Sequence, residues 1–288
     1  MKKCPYCGKE YPNDVTRCLV DNELLSGGEL RPLTGVEKAT DPVVTPPLTV
    51  APLPATTWTE RQICIFEIFL VCTIAFGSSL LASGRFLIYG NSGHSSSGST
   101  GSFGWLYRCM FEASALALLW YVLIRRKKTF LSLGLAWEWK DIGRSIVLMV
   151  IGCAAYYTVY AGLSYTGLAA VAHKTSSDQV AGRLFGGGVS LATFLFLFLN
   201  PFFEELIVRA YLITEIKLLS NSTVKAIVVS TVLQTSYHFY QGVPLAFSYS
   251  VTFLIYSIYY AKTNRIAPII LAHLYCDVGS TLLYMFRS

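Results

Sequence analysis

From about residue 60 onward, apolar residues come in long unbroken blocks, not in the three-and-four spacing of a helix with one wet face. A bilayer is crossed by roughly 20 apolar residues. The blocks therefore predict about seven spans, near 62–83, 105–124, 144–164, 188–218, 224–240, 245–261 and 267–286. Turn chemistry separates them: the Gly/Ser run 91–104, Asn221, and Gln241–Pro244. Residues 129–143 carry Trp137 and Trp139 and suit the headgroup level. The loop 165–187, with His173, Lys174, Asp178 and Arg183, reads as a solvated outer loop. Upstream, residues 26–59 have neither helical nor strand period. Pro32, Pro42, Pro46, Pro47, Pro52 and Pro54 make them a semi-extended linker. Residues 1–25 form a small polar head. The predicted fold is all-α: a polytopic transmembrane bundle over 60–288, tethered to a small N-terminal unit.

Composition agrees. The chain is 53% hydrophobic and 14% charged, against about 25% charged in ordinary soluble domains. The net charge of +6 is read through its position and predicts no nucleic-acid partner. Arg125, Arg126, Lys127 and Lys128 follow the second span and mark a cytoplasmic loop. Alternation then places the head, Lys217, Lys225, Lys262 and Arg265 inside, and 84–104 and the C-terminus outside. The start, MKKCPYCGKEYP, lacks an apolar signal region, so the first span is expected to do the targeting. The expected location is the cytoplasmic (inner) membrane, multi-pass, with a cytoplasmic N-terminus.

The head reads CPYCGKEYPNDVTRCLVD. It looks like half of a zinc ribbon, with Cys4 and Cys7 at the spacing of a zinc knuckle and Cys18 following. Asp21 stands where a fourth cysteine would be, giving Cys4, Cys7, Cys18 and Asp21 as a candidate structural zinc set. A metal-free knuckle and a redox or metal sensor are the other readings, and a protein partner for the head is a further expectation. Cys64, Cys72, Cys109, Cys153 and Cys276 fall in apolar segments and read as small hydrophobes.

Charges inside the spans carry the chemistry. A charged group at membrane depth costs from about 2.5 to above 10 kcal/mol and is usually functional or paired. The stretch NPFFEELIVRAYLITE, residues 200–215, holds Glu204, Glu205 and Arg209. Glu205 and Arg209 are i,i+4 and can pair. Glu204 is turned about 100° away and is left free for chemistry. Pro201 removes one helical hydrogen bond just upstream. Arg108 and Glu112, also i,i+4, are expected to pair with each other, while Glu67 is expected to snorkel or to face the bundle. Residues 226–261 contain no Asp, Glu, Lys or Arg but include His238, and the last span holds His273 and Asp277 at i,i+4. Glu204 and His238 each lie roughly 25 Å along their helices from the Asn221 turn, at matching depth. His273 starts from the same side but only about 12 Å in, so tilt must close the difference.

The order Glu204-Glu205-x-x-x-Arg209, His238, His273-x-x-x-Asp277 resembles the CPBP family, also called Abi, of CAAX prenyl endopeptidases and bacteriocin-processing intramembrane proteases. The resemblance covers about 188–286, including the approach TNRIAPIILAH. It implies a helical bundle that hydrolyses peptide bonds of membrane-anchored proteins or peptides, without a catalytic cofactor. It implies Glu204 as general base with His238 beside it, Glu205 and Arg209 holding the site, and His273 with residue 277 polarising the scissile carbonyl. Two positions depart from the family pattern: Gln234 replaces a usual Phe, and Asp277 a common Asn. An ionised Asp277 cannot donate a hydrogen bond, so its expected role is to orient His273. Two other functions fit the residues: a non-catalytic scaffold whose head recruits a partner, and a hydrolase with one carboxylate and two histidines on a metal.

Overall fold

The computed structural model describes residues 2–3, 10–12, 59–90, 101–166 and 189–287. The candidate zinc ligands Cys4, Cys7, Cys18 and Asp21, residues 26–58 of the linker, and 167–187 of the outer loop lie outside the described residues. The chain divides into the units Met1–Ile63 and Cys64–Ser288. In the first, strands β1 (Lys2–Lys3) and β2 (Glu10–Tyr11) pair antiparallel, Lys2 opposite Tyr11 and Lys3 opposite Glu10.

The second unit is helical. Its elements are α1 (Glu60–Tyr89), α2 (Ser102–Arg125), α3 (Lys140–Tyr165), α4 (Leu191–Ser220), α5 (Thr223–His238), α6 (Val243–Thr263) and α7 (Ala267–Arg287). Among the described residues, 6 helices are long and apolar enough to cross a membrane, and the chain is a multi-pass membrane protein. The fifth expected span, 224–240, is a helix at nearly the expected bounds but is shorter than the six others. Helix α5 has 16 residues, about 24 Å at 1.5 Å per residue, because the tight turn Phe239–Gln241 and Gly242 (φ 117°) end it early. Asn221 (φ 49°) and Asn264 (φ 51°) stop α4 and α6 in the left-handed conformation that ends helices. Ser222 caps α5, its hydroxyl accepting from the Lys225 N–H at 3.3 Å.

Helix α4 is the centre. Every residue from Phe203 to Ile213 is buried. The outer helices instead expose large apolar side chains, among them Phe69, Leu81, Met110, Val150, Val232 and Phe247. Apolar outside and polar inside is the arrangement lipid demands. Helix α2 packs on the first half of α4, α7 on the same half and on α3, and α5 on the second half and on α6. Helix α1 reaches the core through Phe76, stacked on Tyr237 at 4.4 Å and tilted against Phe203 at 5.2 Å.

Two ionic clusters close the end of the bundle that carries the basic loop. Glu67 and Glu215 are buried, and Arg126 pairs with both, 2.7 Å to Glu215; Lys128 reaches Glu215 at 3.2 Å. Glu67 therefore faces inward, the second of its two expected placements. In the other cluster Arg265 joins Asp141 at 2.7 Å and also Glu138, and Arg144 joins Asp141 at 2.8 Å. The hydrogen bond from Arg265 to Asp141 raises the basicity of that guanidinium above its ordinary range. Residues Arg126, Lys128 and Arg265 thus sit in contacts that draw together the ends grouped by the positive-inside argument. Trp139 is 90% exposed and Trp137 54%.

The loop between α2 and α3 is pinned at Gly134. Its φ is 81°, and the Ile266 N–H donates to its carbonyl at 3.2 Å. A Cβ there would lie 1.9 Å from the Asn264 carbonyl oxygen. Gly134→Ala is expected to cost roughly 1–3 kcal/mol, seen as a lowered Tm of the purified protein in detergent. An unchanged Tm would show that this loop is not clamped against the α6–α7 turn.

Candidate functional site

The site is built on an irregularity in α4. Regular helix runs from Leu191 to Glu204, a π-helix from Glu205 to Tyr211, and regular helix again from Leu212 to Ser220. Such widened turns are rare and less stable than α-helix, and occur often at functional sites. Here neighbouring hydroxyls support the altered ladder. Ser230 of α5 donates to the Val208 carbonyl at 2.8 Å. Thr214 and Tyr260 donate to the Ala210 carbonyl at 2.6 and 3.2 Å. The π segment begins at Glu205, so the two adjacent glutamates belong to different helical geometries.

Glu205 is 1% exposed and Arg209 not at all. They form the expected i,i+4 ion pair, Oε2 to Nη1 at 2.8 Å. The guanidinium also lies over the rings of Phe253 (5.3 Å) and Tyr256 (5.8 Å), so aromatic faces share its charge. The other oxygen of Glu205 accepts from His273 Nδ1 at 2.7 Å. Arg209, Glu205 and His273 thus form one chain from α6's rings, through α4, to α7. Asp277 Oδ2 stands 3.6 Å from His273 Nε2, close enough for charge attraction but too long for a hydrogen bond. The orienting bond on His273 is therefore Glu205's rather than Asp277's.

Glu204 faces α5. Gln234 Nε2 donates to its Oε2 at 3.0 Å, and both side chains are buried. His238, one turn further, places Nδ1 2.8 Å from the Gln234 backbone oxygen. A carbonyl can only accept, so Nδ1 carries the proton and a neutral ring keeps Nε2 as an acceptor. Glu204 is near enough for its charge to act on the His238 ring. Ligand-type atoms of Glu204, Glu205 and His273 lie within 4.8 Å of one another. The fold thus brings Glu204, Glu205, Arg209, His238, His273 and Asp277 to one place.

One expected pair is absent. Arg108 does not join Glu112; its guanidinium lies over Trp105 (5.6 Å) and Phe196 (6.0 Å). Glu112 is 4% exposed, its Oε2 has no hydrogen-bond partner among the described residues, and the charges acting on it are those of Glu204, Arg108, Asp277 and His273. The i,i+4 spacing was a sound signal for proximity, but α2 offers its cation the aromatic faces instead. Glu112 is thereby a buried carboxylate within electrostatic reach of the site, and not the partner of Arg108 that its spacing suggested. A buried acidic residue on an apolar span was the only signal available for it.

Residues 187–279 match the family described as type II CAAX prenyl endopeptidase Rce1-like, and over this stretch the chain is similar to that family. The match takes in all six residues of the cluster. Neither a curated protein nor a solved structure matches the chain.

Arg209→Met would leave Glu205 buried with only His273 to answer its charge. The expected loss is about 3–5 kcal/mol, measured as denaturant or thermal unfolding in detergent. Arg209→Lys keeps the charge but not the planar fork over two rings, and should lose less. Equal losses for both would show that charge contributes nothing at this position.

Proposed function

We propose that the protein is a glutamate-dependent intramembrane endopeptidase acting on membrane-associated proteins or peptides. The observation that carries this reading is the asymmetry of the two glutamates. Glu205 has both oxygens engaged, by Arg209 and His273, while Glu204 has one oxygen fixed by an amide. A carboxylate fixed at one oxygen can use the other to take a proton.

In this mechanism Glu204 accepts a proton from a water as the water oxygen attacks the scissile carbonyl carbon. In this reading His238 Nε2, the ring's acceptor, orders that water. The oxyanion that forms needs donors aimed at it, worth about 3–4 kcal/mol each when preorganised. His273 suits this, because Glu205 fixes its Nδ1–H and stabilises a charged ring, leaving Nε2 for the oxyanion. Glu204 then returns the proton to the leaving nitrogen as the C–N bond breaks. The products are a carboxylate and an amine. Asp277 stays beside His273 as a second negative charge favouring the imidazolium.

Side-chain positions also admit a metal reading, since Glu204, Glu205 and His273 are close enough to share an ion. It is disfavoured by Arg209, whose permanent charge occupies one oxygen of Glu205. The N-terminal unit is proposed to be held by zinc on Cys4, Cys7, Cys18 and Asp21, with the two short strands on either side of the first knuckle. It lies on the cytoplasmic side with the basic loop, at the inner membrane.

Purified protein in detergent, incubated with a quenched peptide library, should cleave a subset of sequences. Glu204→Gln should reduce kcat by about 100- to 10,000-fold, the usual contribution of a general base, while the protein still inserts and unfolds at the parent temperature. Cleavage that survives in Glu204→Gln would end the carboxylate mechanism. Loss on exhaustive chelation alone would move the chemistry to a metal. No cleavage by any form, with function depending on residues 1–25, would favour a scaffold.

A further inference from the structure

Gln234 is the residue through which α5 meets the site. Its side chain has no exposed surface, an unusual place for an amide in a membrane helix, where a buried polar group must find a partner or destabilise the fold. The partner of its Nε2 is Glu204 Oε2, at 3.0 Å. Chemistry fixes the direction of that bond. A carboxylate accepts, so the amide must present its NH₂ and not its oxygen; the flipped amide would set two acceptors against each other. Its backbone carbonyl meanwhile holds His238 Nδ1 at 2.8 Å. One residue thus contacts Glu204 with its side chain and His238 with its main chain. The main-chain bond is open to any residue at this position. The side-chain bond needs an amide donor of this length.

We propose that Gln234 is a positioning residue for Glu204: its amide pins one carboxylate oxygen and so fixes the direction in which the other meets water. The proposal rests on the endopeptidase reading above for its catalytic consequence, but not for the contact itself. A carboxylate on a helix has freely rotating terminal torsions, and Glu204 lacks the guanidinium and imidazole that lock Glu205. Without Gln234 it could swing among the other polar groups of the site, Tyr237 included, which lies beside it. The amide's own Oε1 is buried and without a partner among the described residues. An amide kept there at that cost is better explained by what its donor end does than by packing.

The test is Gln234→Met, which keeps length and flexibility and removes the donor. In the purified full-length protein, with a peptide taken from the library above, kcat is expected to fall by roughly 100-fold, as misplacement of a reacting group does, with KM within about twofold. A rise in KM alone, or an unchanged kcat, overturns the proposal. Thermal unfolding supplies a readout that does not need activity. Glu204→Leu and Gln234→Met each leave one buried polar group without its partner, whereas the double variant removes both. The Tm losses are therefore expected not to add, the double variant melting no lower than the worse single. Full additivity would show that the two side chains do not interact and would overturn the contact. If no form cleaves any peptide, the endopeptidase reading fails while the unfolding cycle still decides whether Gln234 holds Glu204.

Discussion

Arg209 carries a permanent charge with no exposed surface, inside a helix surrounded by other helices. A guanidinium cannot shed its proton to escape such a place, so the elements around it must answer the charge. Glu205 does so from the same helix, Phe253 and Tyr256 do so with ring faces from α6, and His273 connects the arrangement to α7 through the second oxygen of Glu205. These contacts set the mutual rotation of α4, α6 and α7. The bare energetics of a buried ion pair give little net stability. What the pair supplies is placement: an arginine and a histidine on the two oxygens of one carboxylate leave that carboxylate, and the imidazole, with one orientation each.

The π segment follows from the same requirement. Seven residues of widened helix, Glu205–Tyr211, alter the backbone hydrogen-bond pattern where water cannot repair it. In lipid that is tolerated only with protein partners. Ser230, Thr214 and Tyr260 provide them, each placing a hydroxyl donor against a backbone carbonyl of the segment. The ionic clusters at Arg126 and Asp141 hold the adjacent end of the bundle in similar fashion, pairing buried carboxylates with arginines that reach in from the rim.

Much of this was legible in the sequence, and the reason is the solvent. Lipid makes each intramembrane charge costly, so Glu204, Glu205, Arg209, His238 and His273 stood out against a nearly uncharged background, and helical spacing alone gave the Glu205–Arg209 pair. Contacts between helices were not legible. Spacing along α2 could not show that Arg108 would choose the rings of Trp105 and Phe196 over Glu112, because Phe196 belongs to another helix. Nor could it show that His273 would find Glu205 before Asp277, since i,i+4 proximity on one helix competes with a shorter bond across two. The end of α5 falls at His238 rather than at residue 240, because apolar composition continues through Phe239 and Tyr240 into the turn, where backbone conformation and not hydropathy ends the helix.

The adjacent glutamates then acquire different surroundings. Side by side on a regular helix, Glu204 and Glu205 would differ only by a rotation. The change from α to π geometry between them coincides with a change of surroundings: Glu205 enters the Arg209–His273 chain, and Glu204 meets an amide and a histidine from α5. A neutral donor on one oxygen restrains a carboxylate without neutralising it, whereas a guanidinium and an imidazole together commit both oxygens. The same side chain is thereby held at both oxygens by charged partners at one position and at one oxygen by a neutral amide at the next. The division depends on α5 and α7 approaching α4 from different sides, a property of the bundle that no single helix contains.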